Sequence, residues 1–451
     1  MINLLVVSDL MPVPRDLELP LPLGEFELKI FLVLLFLVHI LFVNLMLGGS
    51  VFSVIFEIIG LKFPRYDTLA RRLAETITVN KSLAVVLGVG PLLCINLVYT
   101  LHFYSANALT GYAWIQIVPL VIVAFLASYL HKYTWERWTG PRKRLHVTVG
   151  ISAAFLFLCI PFLFLSNINL MLFPEQWRQV SGFFSSLRVG NVFPRYFHFI
   201  TASLALTGLF ALAWLSRKKY PVENKLPGFS RPEIRRLFYR LAYYMTLAQL
   251  VFGPLLLFTL PYRGVTGLLF IVILSGVATA LIVLLMLRAE IKATDDKIGR
   301  RLIPICILLT LVVLAMGTGR HIYREACLAE HKVLIADATA RFRAIETATR
   351  MRLEAGLGAG DAIETGPTGE KVFENCAACH ALNRVLAAPP LTEVAAIYKD
   401  DPDGIVAWTK NPGKKRPQFA PMPSFAHLGD VRLKMVAEYI LEITSEVNPG
   451  E

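Results

Sequence analysis

Cys376, Ala377, Ala378, Cys379 and His380 lie together near the C-terminus. Two thiols about one helical turn apart, followed at once by an imidazole, have the C-x-x-C-H spacing of covalent haem attachment. Each thiol can add to one vinyl group of a single haem, and the adjacent ring is then presented to the iron. Patterns this short arise by chance, so the surroundings have to decide. The other four cysteines make no second pair: Cys94, Cys159 and Cys306 lie in apolar runs and read as small core residues, and Cys327 stands alone. The six cysteines do not resemble a disulfide framework.

The second set of candidates is histidines within long apolar stretches. His39 lies in the run 31–60, whose other polar members include Asn44, Ser50, Ser53 and Glu57, and His198 lies in Arg195-Tyr-Phe-His198-Phe. An ionisable side chain at membrane depth is costly and marks a functional site by default. The plainer reading is a neutral ring hydrogen-bonded to a neighbouring helix. The residues alone weigh the two equally.

The elements that must position these residues follow from composition. The chain has 451 residues with a net charge of +12, and only 17% are charged, against about 25% in a soluble domain. Its mean hydropathy is +0.57. The sequence predicts an all-α protein with eight spanning helices, at about 29–60, 80–104, 112–132, 145–172, 194–216, 236–262, 264–288 and 301–320. Residues 1–320 then form a transmembrane domain, 321–365 a helical spacer with a Gly-rich hinge, and 366–451 a small soluble helical domain. The excess Lys and Arg sit in alternate loops, for example Lys62, Arg65, Arg71 and Arg72, then Arg217, Lys218 and Lys219, whereas Ser105–Gly111 has none. The positive-inside rule places both termini and the soluble tail outside. That is the side on which haem c is attached, so a bacterial cytoplasmic membrane with a periplasmic tail is expected. Residues 1–28 lack a basic n-region, so the first helix is expected to serve as its own insertion signal. His102 and His321 fall near the outer ends of the second and eighth helices. His131 and His146 fall near inner ends and are expected to face loops, and His331 lies in the spacer without signal. No phosphate-binding loop, zinc motif or nucleic-acid signature is present, and the basic loops are explained by topology.

Two resemblances add to this reading. The tail resembles small class I bacterial cytochromes c over its whole length. Val372 and Phe373 precede the motif on what should be a first helix. Pro389-Pro390-Leu391 follows where that family places the proline whose carbonyl bonds the proximal His, and Pro389 fits best. Ala420-Pro421-Met422-Pro423 looks like the methionine-ligand loop, and a helix over 430–446 should close the domain. The resemblance implies one covalent haem c on Cys376 and Cys379, with His380 and Met422 on the iron. His427 is the alternative donor, and an ordinary surface loop is the plain reading of Met422.

The stretch His39-Ile-Leu-Phe-Val-Asn44-Leu-Met-Leu-Gly48 resembles the first helix of subunit I of cytochrome bd quinol oxidases, whose His binds a haem of the high-spin pair. His198-Phe-Ile-Thr-Ala-Ser203 onward to Gly208 resembles that family's fifth helix, whose His binds the low-spin haem b. The likeness covers about the first half of the chain and implies one or more haems b on His39 and His198. A further family ligand is a Met on a later helix. Met316 and His321 are the candidates near the outer end, and Met245 and Met286 read as core filler. The family's acidic residues in the second and third helices are missing from 92–96 and 119–127, and its long quinol loop is reduced to Pro261-Tyr-Arg-Gly264. Whether a quinone takes part is left open.

Two functions are consistent with these residues. One is a b/c-type membrane cytochrome relaying electrons between membrane haem b and an outer haem c, with other respiratory subunits or a periplasmic carrier as partners. The other is a cytochrome c-linked reductase of oxygen or nitric oxide. Missing carboxylates favour the relay and leave enzymatic activity undecided. A simple anchor fits least, because one helix would suffice.

Overall fold

A run of apolar residues far longer than one bilayer crossing requires opens the described chain, and it folds as one helix, α1 (Glu25–Gly60). The computed structural model describes residues 21–215, 217, 219–354, 369–399, 401–414, 416–417 and 419–445, without the side chains of 77–81 and 352–354. The N-terminal segment 1–20, the expected hinge apart from Gly369, and Glu446 lie outside them. The described residues are helical and contain no strand.

After α1 come α2 (Pro64–Val98), α3 (Thr100–Thr110), α4 (Ile117–Tyr133), α5 (Lys143–Met171), α6 (Val192–Leu215), α7 (Arg231–Phe258), α8 (Gly267–Ile291) and α9 (Leu302–Glu354). Seven helices among the described residues are long and apolar enough to cross a membrane, and a bent pair makes a possible eighth. The chain is a multi-pass membrane protein. Local signals set several boundaries. Ser230 caps α7 in a capping box: its hydroxyl accepts from the Glu233 N–H, and the Glu233 carboxylate accepts from the Ser230 N–H at 2.7 Å.

Two expectations are corrected. The second span is not one straight helix: Ser82–Val98 and Thr100–Thr110 meet at 109°. Tyr99, at φ −127° and ψ 36°, breaks the helix, and its hydroxyl bonds the Glu325 carboxylate while Arg324 lies 5.0 Å from its ring. Residues 321–339 of the expected spacer also belong to the membrane unit. α9 runs on without a break, and Tyr323, Cys327, His331, Ile335 and Thr339, every fourth residue, are buried. Their neighbours hold them there: Tyr323 donates to the Pro261 carbonyl at 3.4 Å and the Cys327 thiol to the Leu172 carbonyl at 3.3 Å.

The chain divides into two compact units, 1–340 and 341–451. In the first, α1 packs most extensively on α2 and α6. Where α1 crosses α6, a Cβ on Gly48 would lie 2.7 Å from the Ser203 carbonyl oxygen. Ser203 donates to the Asn44 side chain at 2.8 Å, and Thr207 to the Asn44 carbonyl at 3.0 Å. Glycine permits the approach and the hydroxyls join the backbones, a helix-pairing device suited to lipid.

The second unit contains α10 (Gly369–Phe373), α11 (Leu391–Ile397), α12 (Pro402–Lys410) and α13 (Asp430–Ser445). Val372, Leu391, Val436 and Ile440 form its core. α10 crosses α13 so closely that a Cβ on Gly369 would meet the Met435 carbonyl oxygen at 2.5 Å. Phe373 and Tyr439 pack beside the crossing at 5.8 Å.

Candidate functional site

The cysteine motif forms the turn that follows α10. The Cys376 N–H donates to the Phe373 carbonyl at 2.7 Å, and those of Cys379 and His380 to the Cys376 carbonyl at 3.1 Å. Cys376 is half-buried and Cys379 exposed, with both thiols free. Burial, and then the neighbouring Cys379, push the Cys376 thiol up from its ordinary value. The chain then folds back over the turn, where the Ala388 N–H reaches the Cys379 carbonyl at 3.1 Å and that of Leu391 the Ala381 carbonyl at 2.9 Å. This return brings the Pro389 carbonyl to 2.8 Å from His380 Nδ1. A carbonyl only accepts, so Nδ1 carries the proton and Nε2 keeps its lone pair. That is the second-shell arrangement that orients a metal-binding imidazole.

Met422 is half-buried on an irregular segment. The segment is pinned to the end of α12, with the Phe425 N–H donating to the Thr409 carbonyl at 3.0 Å and the Ser424 hydroxyl to that of Lys410 at 2.5 Å. His427 is exposed on the short helical turn that follows.

In the first unit, His39 donates from Nδ1 to the Ala84 carbonyl of α2 at 2.9 Å. Its Nε2 is thereby left as an acceptor, the same tautomer as His380. A Cβ on Gly88 would lie 2.9 Å from the His39 ring, so glycine makes room for it. His198 faces α7 instead, where Gly253 is its neighbour, and its Nδ1 is buried without a partner among the described residues. Gln249 of α7 fixes the backbone there by donating to the His198 carbonyl at 2.9 Å. The two rings thus face different helices.

His321 Nδ1 is likewise buried and unpartnered among the described residues. Met316 packs its methyl group against Gly276 of α8. Around the same end of the unit, Arg195 Nη2 and Arg324 Nη1 are buried donors without an acceptor among the described residues, and Arg320 lies over the Phe36 ring at 4.5 Å. Arg195, Arg320 and Arg324 are near enough to repel one another. Buried guanidinium donors without anions are unfavourable. A haem brings iron for an imidazole and two carboxylates for guanidinium groups, so these residues fit such a group.

Three histidines are placed differently from expectation. His131 and His146 do not face loops: both are buried against the Glu57 carboxylate, which is fully buried. His331 is buried as well, with its Nδ1 3.0 Å from His102 Nε2. Sequence reasoning missed these pairings because each joins residues far apart in the chain. Along α9 only Tyr323, Cys327 and Ile335 of the fourth-residue repeat are apolar, a weak signal that His331 itself interrupts.

Residues 367–444 match the cytochrome c family model. A bd oxidase structure from Geobacillus thermodenitrificans is similar to the chain at 13% identity with a TM-score of 0.49, covering 68% of this chain and 86% of that one. No curated protein matches the chain. The C-terminal unit therefore carries a cytochrome c domain over residues 367–444, joined to a helical membrane unit.

Proposed function

We propose that the chain is a b/c-type multihaem cytochrome that passes electrons between haem b in the membrane unit and haem c in the tail, as a subunit of a respiratory complex. The observation that carries this reading is the shared state of two imidazoles. His380 and His39 each give Nδ1–H to a backbone carbonyl, of Pro389 and Ala84, and each keeps Nε2 for a metal. Cys376 and Cys379 would hold haem c covalently, and His380 and Met422 would bind its iron. His39 and His198 would bind haem b. Arg195 and Arg324 supply the buried donors its carboxylates need. Met316 and His321 are secondary candidates, and the packing of Met316 on Gly276 favours His321 of the two. Bound haem supplies one-electron storage at iron. The partners are other respiratory subunits or a periplasmic electron carrier.

Electron exchange is tested by reducing the purified full chain and mixing it rapidly with an oxidised soluble cytochrome c. Haem c absorbance should be lost first and haem b absorbance after it. In Cys376→Ala/Cys379→Ala the haem b absorbance should persist. Equally fast loss of haem b in that variant contradicts the relay.

The proposed orientation puts the tail and the beginning of α1 on the periplasmic side of a bacterial cytoplasmic membrane. A reporter active only in the periplasm should be silent when fused after Lys219 or Lys297 and active after Gly369. The reverse pattern contradicts both the loop charges and the haem c assignment.

A further inference from the structure

At the end of the membrane unit bearing the basic loops, three helices aim one donor each at a common point: Glu57 of α1, His131 of α4 and His146 of α5. Glu57 and His146 are fully buried and His131 is nearly so. Their donor atoms all lie within 4.8 Å of one another. We propose that this cluster binds a divalent first-row metal ion of the zinc class.

A backbone contact fixes one proton position in this cluster. His146 Nε2 lies 2.7 Å from the His131 carbonyl oxygen, which only accepts, so Nε2 carries a proton. In a neutral ring Nδ1 then has a lone pair, and that lone pair points at Glu57 Oε1. Two lone pairs facing each other require a cation between them. The other carboxylate oxygen, Oε2, lies 2.6 Å from His131 Nε2, and the two imidazole centroids are 4.4 Å apart. One carboxylate held between two imidazoles, with the far nitrogen of one ring fixed by a backbone carbonyl, is a His2Glu donor set with part of its second shell in place.

A proton is the competing occupant. It would make His146 an imidazolium beside Lys143, whose ammonium already lies 2.8 Å from Oε1. Lys143 also has Asp67 at 2.7 Å and the Trp135 ring at 4.5 Å, so it keeps partners if a metal takes its place on Glu57. To admit the ion the donors must separate to about 3.3 Å, the edge of a tetrahedron with bonds of about 2.0 Å. Gly150 packs closely against the His131 ring, where a Cβ would lie 2.7 Å from Nε2. Room is available on one side. A cavity of about 20 Å³ adjoins the same ring, lined in part by Ser50, Ser53, Ser128 and Gly150. Its volume suits one water, which would complete four-coordination. The site lies 18 residues along α1 from His39, about 27 Å at helical rise, so it is separate from the proposed haem ligands.

Elemental analysis of the purified full chain, prepared without chelator and incubated with zinc before removal of the excess, should find about one zinc per chain beyond haem iron. Glu57→Gln and His146→Ala should lower that at least about tenfold while haem content stays unchanged. Metal content unaltered in both folded variants overturns the assignment, and so does wild-type protein without stoichiometric metal, whose cluster would then hold only a proton. Cobalt loading of the wild-type chain needs no variant. Ligand-field bands of a nitrogen- and oxygen-bound tetrahedral ion are expected, and their absence overturns the proposal.

Discussion

Replacing Cys376 or Cys379 with alanine should abolish or cripple covalent haem attachment, read as haem-dependent peroxidase staining on a denaturing gel. Each thiol would supply one of the two thioether bonds proposed here, and the turn after α10 holds both cysteines within four residues. Full staining in both variants would sink the attachment assignment. Met422→Ala should leave staining intact, because Met422 is proposed as an iron ligand and forms no covalent bond to the haem. It should instead remove the weak far-red band that marks methionine on ferric haem. If His427 were the sixth ligand, His427→Ala would change the spectrum and Met422→Ala would not.

The second large effect is expected in the membrane unit. His198→Ala should remove a low-spin haem b species, and His39→Ala should remove a separate one. An unpartnered buried polar group costs about 1–3 kcal/mol, and His198 Nδ1 has no partner among the described residues. The experiment belongs in the full chain carrying Cys376→Ala/Cys379→Ala, so that haem c does not mask haem b. Truncation after Gly319 would serve less well, because it removes Tyr323, Cys327 and His331, which are buried in this unit. If both variants keep the full haem b spectrum, other residues hold the haem. Carbon monoxide binding by the reduced protein, lost in His39→Ala, would indicate an open iron and favour the reductase reading.

The helical class and the membrane spans were legible because composition alone reports them. Apolar runs longer than a bilayer requires, with charges gathered in alternate loops, leave few other architectures. The cytochrome c domain was legible because covalent chemistry ties five consecutive residues to one spacing. What escaped is long-range. Tyr99 has neither glycine nor proline beside it to announce a bend, and it is engaged by Glu325, 226 positions away. His102 and His331 are 229 positions apart. Glu57 meets His131 and His146 at separations of 74 and 89. Each of those histidines sits at the end of an apolar run, where an outward-facing ring is the simpler expectation. The buried stripe of α9 was hidden by its composition, since His331 and Thr339 occupy positions where an apolar residue would have marked the face.

One chain is proposed to hold both b- and c-type haem. A pyridine haemochrome assay on the purified full-length protein tests it most directly, because it counts the two types separately. One haem c and at least one haem b per chain are expected. Haem c alone in folded, membrane-inserted protein would contradict it and reduce the helices to an anchor.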